Sequence, residues 1–123
     1  MKRAYRLARS EDFQRIRRTG RSWSRPMLVL QTLRNDLAHS RVGLVVGRRV
    51  GTAVVRNRVR RLLRESVRLR WQDIEPGWDI VLIARTPAAQ TDFWQVKAAL
   101  DSLLERASLL QASHTPGNES APR

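Results

Sequence analysis

The sequence predicts an α+β fold, an α/β sandwich, and three observations carry that prediction. Residues 52–70 and 91–110 repeat apolar side chains at helical spacing. Ile80-Val81-Leu82-Ile83-Ala84 is an unbroken apolar run of strand length, as expected of a central strand covered on both faces. Between residues 41 and 85 the pattern passes from strand to helix to strand, which suggests a parallel pair joined by a crossover.

The elements follow in order. Ser10-Glu11-Asp12-Phe13 reads as a helix start, with Ser10 as N-cap and two acids in the first turn. Arg15, Arg17 and Arg18 crowd its end, and Gly20 is a stop signal. Phe13 and Ile16 form a narrow apolar stripe, so a helix this short must dock to persist. Arg21-Ser22-Trp23-Ser24 is a possible extra strand, residues 26–33 are a strand, and residues 41–47 are another after a turn at 35–40. In the last of these Val42, Leu44 and Val46 share one face, and Gly43, Val45 and Gly47 the other. Two glycines on one face either ease twist or let another element approach the sheet closely. Thr52 is the expected N-cap of the long helix, and Pro76-Gly77 turns the chain into the apolar run. Thr91-Asp92 opens a last amphipathic helix carrying Phe93, Val96, Leu100, Leu103, Leu104, Ala107 and Leu110 on one stripe. Residues 1–110 read as one domain, and residues 111–123, rich in Ser, Pro, Gly and Asn, as a disordered tail.

Charge is distributed unevenly. The 123 residues have a net charge of +13, divided into +16 over residues 1–70 and −3 over residues 71–123. Such a field disfavours compaction unless a polyanion neutralises it, which points to nucleic acid first and an anionic membrane surface second. Arg outnumbers Lys by 22 to 2. GC-rich coding and the phosphate-gripping guanidinium fork both contribute to that bias, so by itself it carries no functional weight. The chain has no Cys, which excludes disulfides, thiolate zinc sites and Cys nucleophiles. No apolar run approaches the roughly 18 residues of a membrane span, and Met1-Lys2-Arg3-Ala4-Tyr5-Arg6 lacks the apolar core of a signal peptide. The expectation is a soluble, cytoplasmic, basic domain.

The basic charge is densest on the long helix, where seven Arg fall within residues 56–70. On a helical wheel Val55, Val59, Leu62, Ser66 and Leu69 line one face, and Asn57, Arg60, Arg61, Arg64 and Arg68 the opposite one. Arg56 and Arg58 lie on the flanks. Like charges four apart destabilise a helix by roughly 0.2–0.5 kcal/mol per pair, and Glu65, within reach of Arg61, offers the sole relief. A merely solvated face would intersperse acids, and a membrane-surface helix would favour bulky aromatics on its apolar side. A rigid helix presenting Arg to nucleic acid accounts for the pattern best, with Arg48 and Arg49 extending it.

The stretch from Arg41 to Glu65, including Arg56-Asn57-Arg58, resembles the signature of the bacterial ribonuclease P protein component. The likeness extends to Glu11-Asp12-Phe13, Gly20-Arg21, Trp78-Asp79-Ile80-Val81 and Ala84-Arg85, and covers roughly residues 5–110. It implies an αβββαβα order with a left-handed βαβ crossover, of the ribosomal-protein-S5-domain-2-like kind. It implies a protein subunit that assists a catalytic RNA in removing the 5′ leader of precursor tRNA. By the same resemblance Arg56, Asn57, Arg58, Arg60, Arg61 and Arg64 match the RNA-contact motif. Phe13 matches an aromatic lining a leader cleft between the first helix and the sheet, and two further cleft positions stand here as Arg17 and Gln31. Trp23 is either a nearby aromatic or partial core.

No catalytic set or metal site stands out in the side chains themselves. His39 falls in a turn, His114 in the tail, and Glu11 and Asp12 explain themselves as first-turn acids. The expected division of labour leaves the chemistry and its Mg2+ to the RNA subunit. A ribosomal-type RNA-binding protein and a stand-alone nuclease are the rival classes.

Overall fold

The computed structural model describes residues 2–111. Its main elements are α1 (Ser10–Thr19), β1 (Arg21–Arg25), β2 (Leu28–Arg34), β3 (Arg41–Val46), α2 (Ala53–Arg70), β4 (Trp78–Ala84) and α3 (Phe93–Arg106). The αβββαβα order is the expected one, and the short strand at residues 21–25 is real. The four strands form one sheet in the order β1-β2-β4-β3. β1 and β2 are antiparallel, β2 and β4 antiparallel, and β3 and β4 parallel, so α2 is the crossover between two adjacent parallel strands. β4 is central and almost wholly buried, as its unbroken apolar run requires.

The two faces of the sheet are covered unequally. α2 and α3 lie side by side on one face over the main core, which joins Leu28 and Leu30 of β2, Ile80 and Leu82 of β4, Val59 and Leu63 of α2, and Leu100, Leu103 and Leu104 of α3. α1 and the N-terminal segment that carries Leu7 cover the other face, where Ile16, Val81 and Leu7 form a smaller cluster with Phe13, Leu33 and Ile83 at its margin. This thinner cover leaves part of the face open.

Local chemistry sets the helix ends. Thr52 caps α2, its hydroxyl accepting from the Val55 N–H. Asp92 caps α3 in a reciprocal box, its carboxylate accepting from the Gln95 N–H while the Gln95 side chain accepts from the Asp92 N–H. At α1 the expectation is corrected by one residue: Ser10 is already helical and Arg9 is the N-cap, without a side-chain cap. Gly20 does end α1, but in extended backbone; its missing Cβ matters because one there would lie 2.5 Å from the Thr32 carbonyl oxygen.

Two further expectations change. The buried stripe of α2 is Val59, Leu63, Ser66 and Val67, while Leu69 is 48% exposed. Arg70 turns to that inner side and pairs with Asp101 of α3 and Asp73. α3 stops at Arg106, not at Leu110. Ser108 takes a left-handed turn (φ 58°), Leu109 is buried, and Leu110 bridges Ile74. Gln111 donates its N–H to the Asp73 carbonyl at 2.7 Å, so the folded body includes this first residue of the expected tail; residues 112–123 and His114 lie outside the described residues.

Candidate nucleic-acid interface

α2 turns Asn57, Arg61, Arg64 and Arg68 away from the core, and all four are exposed. The seven arginines of this helix are not equivalent. Arg56 donates from Nε to the Gly51 carbonyl at 3.2 Å, and Arg58 donates to the Thr91 carbonyl just before α3. Both therefore brace the helix. Arg60 donates to Asn57 Oδ1 at 2.9 Å, which fixes its fork near the exposed face. Glu65 pairs with Arg68, not with Arg61 as spacing alone suggested. The hydrogen bond from Arg68 holds the exposed Glu65 carboxyl below its usual range, and Arg68 is raised in turn. Among the described residues, Arg61 and Arg64 are left without a carboxylate partner. Arg48 and Arg49 are exposed in the tight turn Arg48–Val50 that leads into α2.

The other expected site is the open part of the face beneath α1. The strand registers align Ser22, Gln31, Val81 and Gly43 in one row across the sheet. The Phe13 ring sits over the Gly43 end of that row: a Cβ at residue 43 would lie 2.5 Å from Phe13 Cζ. Gly43 is thus a close-approach position, whereas Gly47 has nothing within 4 Å of its would-be Cβ. Gln31 lies two strands from Gly43, roughly 10 Å away at sheet spacing. Arg17 stands exposed one turn beyond Phe13. The next row, Ser24, Val29, Ile83 and Val45, continues this face, and Val45 at its end is 37% exposed. Trp23 pairs with Leu30 and packs into the main core on the opposite face, so it is partial core and no part of this cleft.

α1 is held at its angle by a buried carboxylate that sequence reading did not single out. Asp79 of β4 is fully buried and accepts from Arg41 Nε at 2.9 Å, Arg41 Nη2 at 2.7 Å, Asn35 Nδ2 at 2.9 Å and Arg15 Nη2 at 3.3 Å. Arg15 also reaches Asp12 at 3.1 Å, so α1, β3 and β4 share one charged node. Burial alone would push the Asp79 carboxyl up, but the hydrogen bonds from Arg41 and Asn35 and the charges of Arg41 and Arg15 outweigh it and hold it below the usual carboxylate range. A charged residue at the start of an apolar run was the available signal. Its partners are 38, 44 and 64 residues away and leave no local trace. His39 contacts the Ala4 carbonyl at 3.1 Å and the Tyr5 ring, a structural setting.

The protein therefore has two candidate surfaces: a helix face on which Arg61 and Arg64 lack a carboxylate partner among the described residues, and a half-open cleft beside Phe13. Comparison with known proteins gives them a context. A sequence profile described as Ribonuclease P matches residues 1–108. The chain is 50% identical over 122 residues to the "Ribonuclease P protein component" of Roseiflexus castenholzii, covering 97% of this chain and all of that one. It is 40% identical over 119 residues to the protein of the same description from Herpetosiphon aurantiacus, covering 97% of each chain. The solved RNase P protein of Staphylococcus aureus superposes with a TM-score of 0.82 at 34% identity, covering 89% of this chain and 100% of that one. The one from Thermotoga maritima superposes with a TM-score of 0.75 at 36% identity, covering 82% and 96%. The chain belongs to the bacterial ribonuclease P protein component family, the protein subunit of a tRNA-processing endoribonuclease.

Proposed function

We propose that this subunit binds the catalytic RNA of ribonuclease P through the exposed face of α2 and holds the 5′ leader of precursor tRNA in the cleft beneath α1. The observation that carries the reading is the outward stripe of α2, where Arg61 and Arg64 lack carboxylate partners among the described residues and like charges crowd at helical spacing. Phosphates supply the missing negative charge and release counterions as they bind. Arg48, Arg49, Arg60 and Arg68 widen that surface, with Asn57 positioning Arg60. Arg56 and Arg58 act mainly by bracing the helix. In the cleft, Phe13 offers a ring face to a base, Gln31 an amide, and Arg17 a guanidinium plane. By uniting leader and catalytic RNA on one basic body, the protein screens their mutual repulsion and assists endonucleolytic removal of the leader. The hydrolytic step and its Mg2+ are assigned to the RNA, and the setting to the cytoplasm.

The test mixes the purified full-length chain with the catalytic RNA of the same organism at low magnesium and follows precursor-tRNA cleavage. Rescue of cleavage that neither component gives alone is the expected result. Cleavage by the protein without RNA would instead mark a stand-alone nuclease. Co-sedimentation with ribosomal subunits and no effect on cleavage would mark a ribosomal protein.

A further inference from the structure

A pocket of about 510 Å3 opens between α2 and the outer edge of β3. Its floor is aliphatic, with Val42 and Leu44 from β3, Val67 from α2, and Leu7 from the segment before α1. Arg6, Arg60 and Arg64 stand around it, and no carboxylate is among the lining residues. The volume falls within the range of small-ligand sites, roughly 300–1,000 Å3.

The pocket walls are fixed. The Leu7 N–H donates to the Val42 carbonyl at 2.9 Å, which ties the N-terminal segment to the upper edge of β3. Tyr5, packed between His39 and Trp71 with ring centroids 5.3 and 5.2 Å away, anchors that segment further back. Arg60 is held by Asn57. β3 is an edge strand, and strand alternation turns the N–H and C=O of Leu44 the same way as the Val42 carbonyl, into the open side. The site therefore offers an apolar floor, a backbone donor and acceptor side by side, and guanidiniums at the rim.

That combination selects a ligand class. A bare phosphate has no use for the aliphatic floor, and a neutral apolar molecule has none for the arginines. A strand-adding acidic peptide would need a longer edge, because the N-terminal segment already occupies Val42 and the strand ends at Val46. A nucleotide matches all three features: its base is apolar on its faces and carries donors and acceptors on its edge, and its phosphate suits Arg. We propose that this pocket takes one unstacked nucleotide of the bound RNA, with its base over Val42, Leu44 and Val67 and its phosphate on Arg60 and Arg64. The proposal rests on the reading that α2 faces RNA and adds to it a base-recognising position beside the phosphate contacts.

Two measurements test it. In methyl-labelled full-length protein, each of the four nucleoside 5′-monophosphates is titrated to about 10 mM, a range that reveals millimolar affinity, with inorganic phosphate as control. Shifts of the Val42, Leu44 and Val67 methyls with at least one nucleotide, and not with phosphate, are expected. No methyl shift with any nucleotide, or the same response to phosphate, overturns the proposal. In the second, Leu44→Trp fills the pocket without removing any charge. Its affinity for the catalytic RNA is expected to fall about tenfold with the salt slope of binding unchanged, whereas Arg64→Ala flattens that slope. Wild-type affinity in a folded Leu44→Trp protein overturns the proposal, while a flattened slope for Arg64→Ala would still uphold the RNA-facing reading of α2. Should Leu44→Trp fail to fold, the titration decides.

Discussion

The ring of Phe13 occupies the space that a side chain at Gly43 would need, with Cζ and Cε1 only 2.5 and 2.6 Å from the position of a Cβ there. The first helix can therefore sit low on the sheet only because β3 carries glycine at that point. Gly43→Ala is expected to lift the ring and destabilise the fold by about 1–3 kcal/mol, the usual range for overpacking. Removing the ring should relieve the clash, so Phe13→Ala combined with Gly43→Ala should be less destabilised than the sum of the single variants. Urea unfolding of the four proteins checks this; strict additivity would refute the contact as the cause.

Asp79 gives the fold a predictable acid sensitivity. Its carboxyl is held below the usual range by Arg41, Asn35 and Arg15 despite burial. A carboxylate lowered on folding adds stability above its unfolded value near 4 and loses it as the pH falls through the folded value. The Tm of the wild type should therefore drop on acidification below about pH 4. Asp79→Asn should have a lower Tm at neutral pH and a shallower dependence on acid. The loss at neutral pH is expected at or below the low end of the roughly 3–5 kcal/mol for breaking a buried pair, because Arg41 keeps some access to water. Calorimetry across pH checks both the drop and the flattened slope.

Much of this architecture is legible locally, and what is not legible depends on distant partners. The 80–84 run identifies the central strand because both of its faces are apolar, and Thr52 and Asp92 are readable as caps because capping involves residues three apart. The buried stripe of α2 is different. Leu62 and Leu69 compete with Leu63 and Val67 on equal hydrophobic terms, and only the sheet and α3 decide between them. Glu65 likewise has Arg61 and Arg68 within one turn, and geometry alone selects Arg68. The resemblance placed Phe13 and Gln31 in one cleft, and the registers put Gln31 in the same cross-strand row as Gly43 under Phe13. The Asp79 node and the pocket beside β3 join residues dozens of positions apart, for which no spacing rule exists.

The arginines of α2 should separate into two groups by salt dependence. Arg61→Ala and Arg64→Ala, and Arg60→Ala with them, should each reduce the slope of log affinity against log salt by about one unit for the catalytic RNA. Arg58→Ala should change the slope less and instead lower stability by about 1 kcal/mol, since its guanidinium is engaged with the Thr91 carbonyl. Arg70→Ala should behave as Arg58→Ala does, because Arg70 is paired with Asp73 and Asp101. Equal slope losses for all five variants would contradict the division.

The open row Val29–Ile83–Val45 allows the leader cleft to be tested with little disturbance of the core. Val45 is more than one-third exposed and ends the row next to the one that Phe13 covers. Val45→Glu would place a carboxylate where the leader's phosphates are expected to pass. Because the side chain is at the surface, its effect on stability should stay within about 0.5 kcal/mol. Binding of precursor tRNA with a long leader should weaken by about tenfold through like-charge repulsion, and binding of mature tRNA should be unaffected. Val45→Gln, which matches the shape without the charge, should retain most of the affinity. Equal weakening of precursor and mature tRNA by Val45→Glu would place the leader elsewhere on the protein.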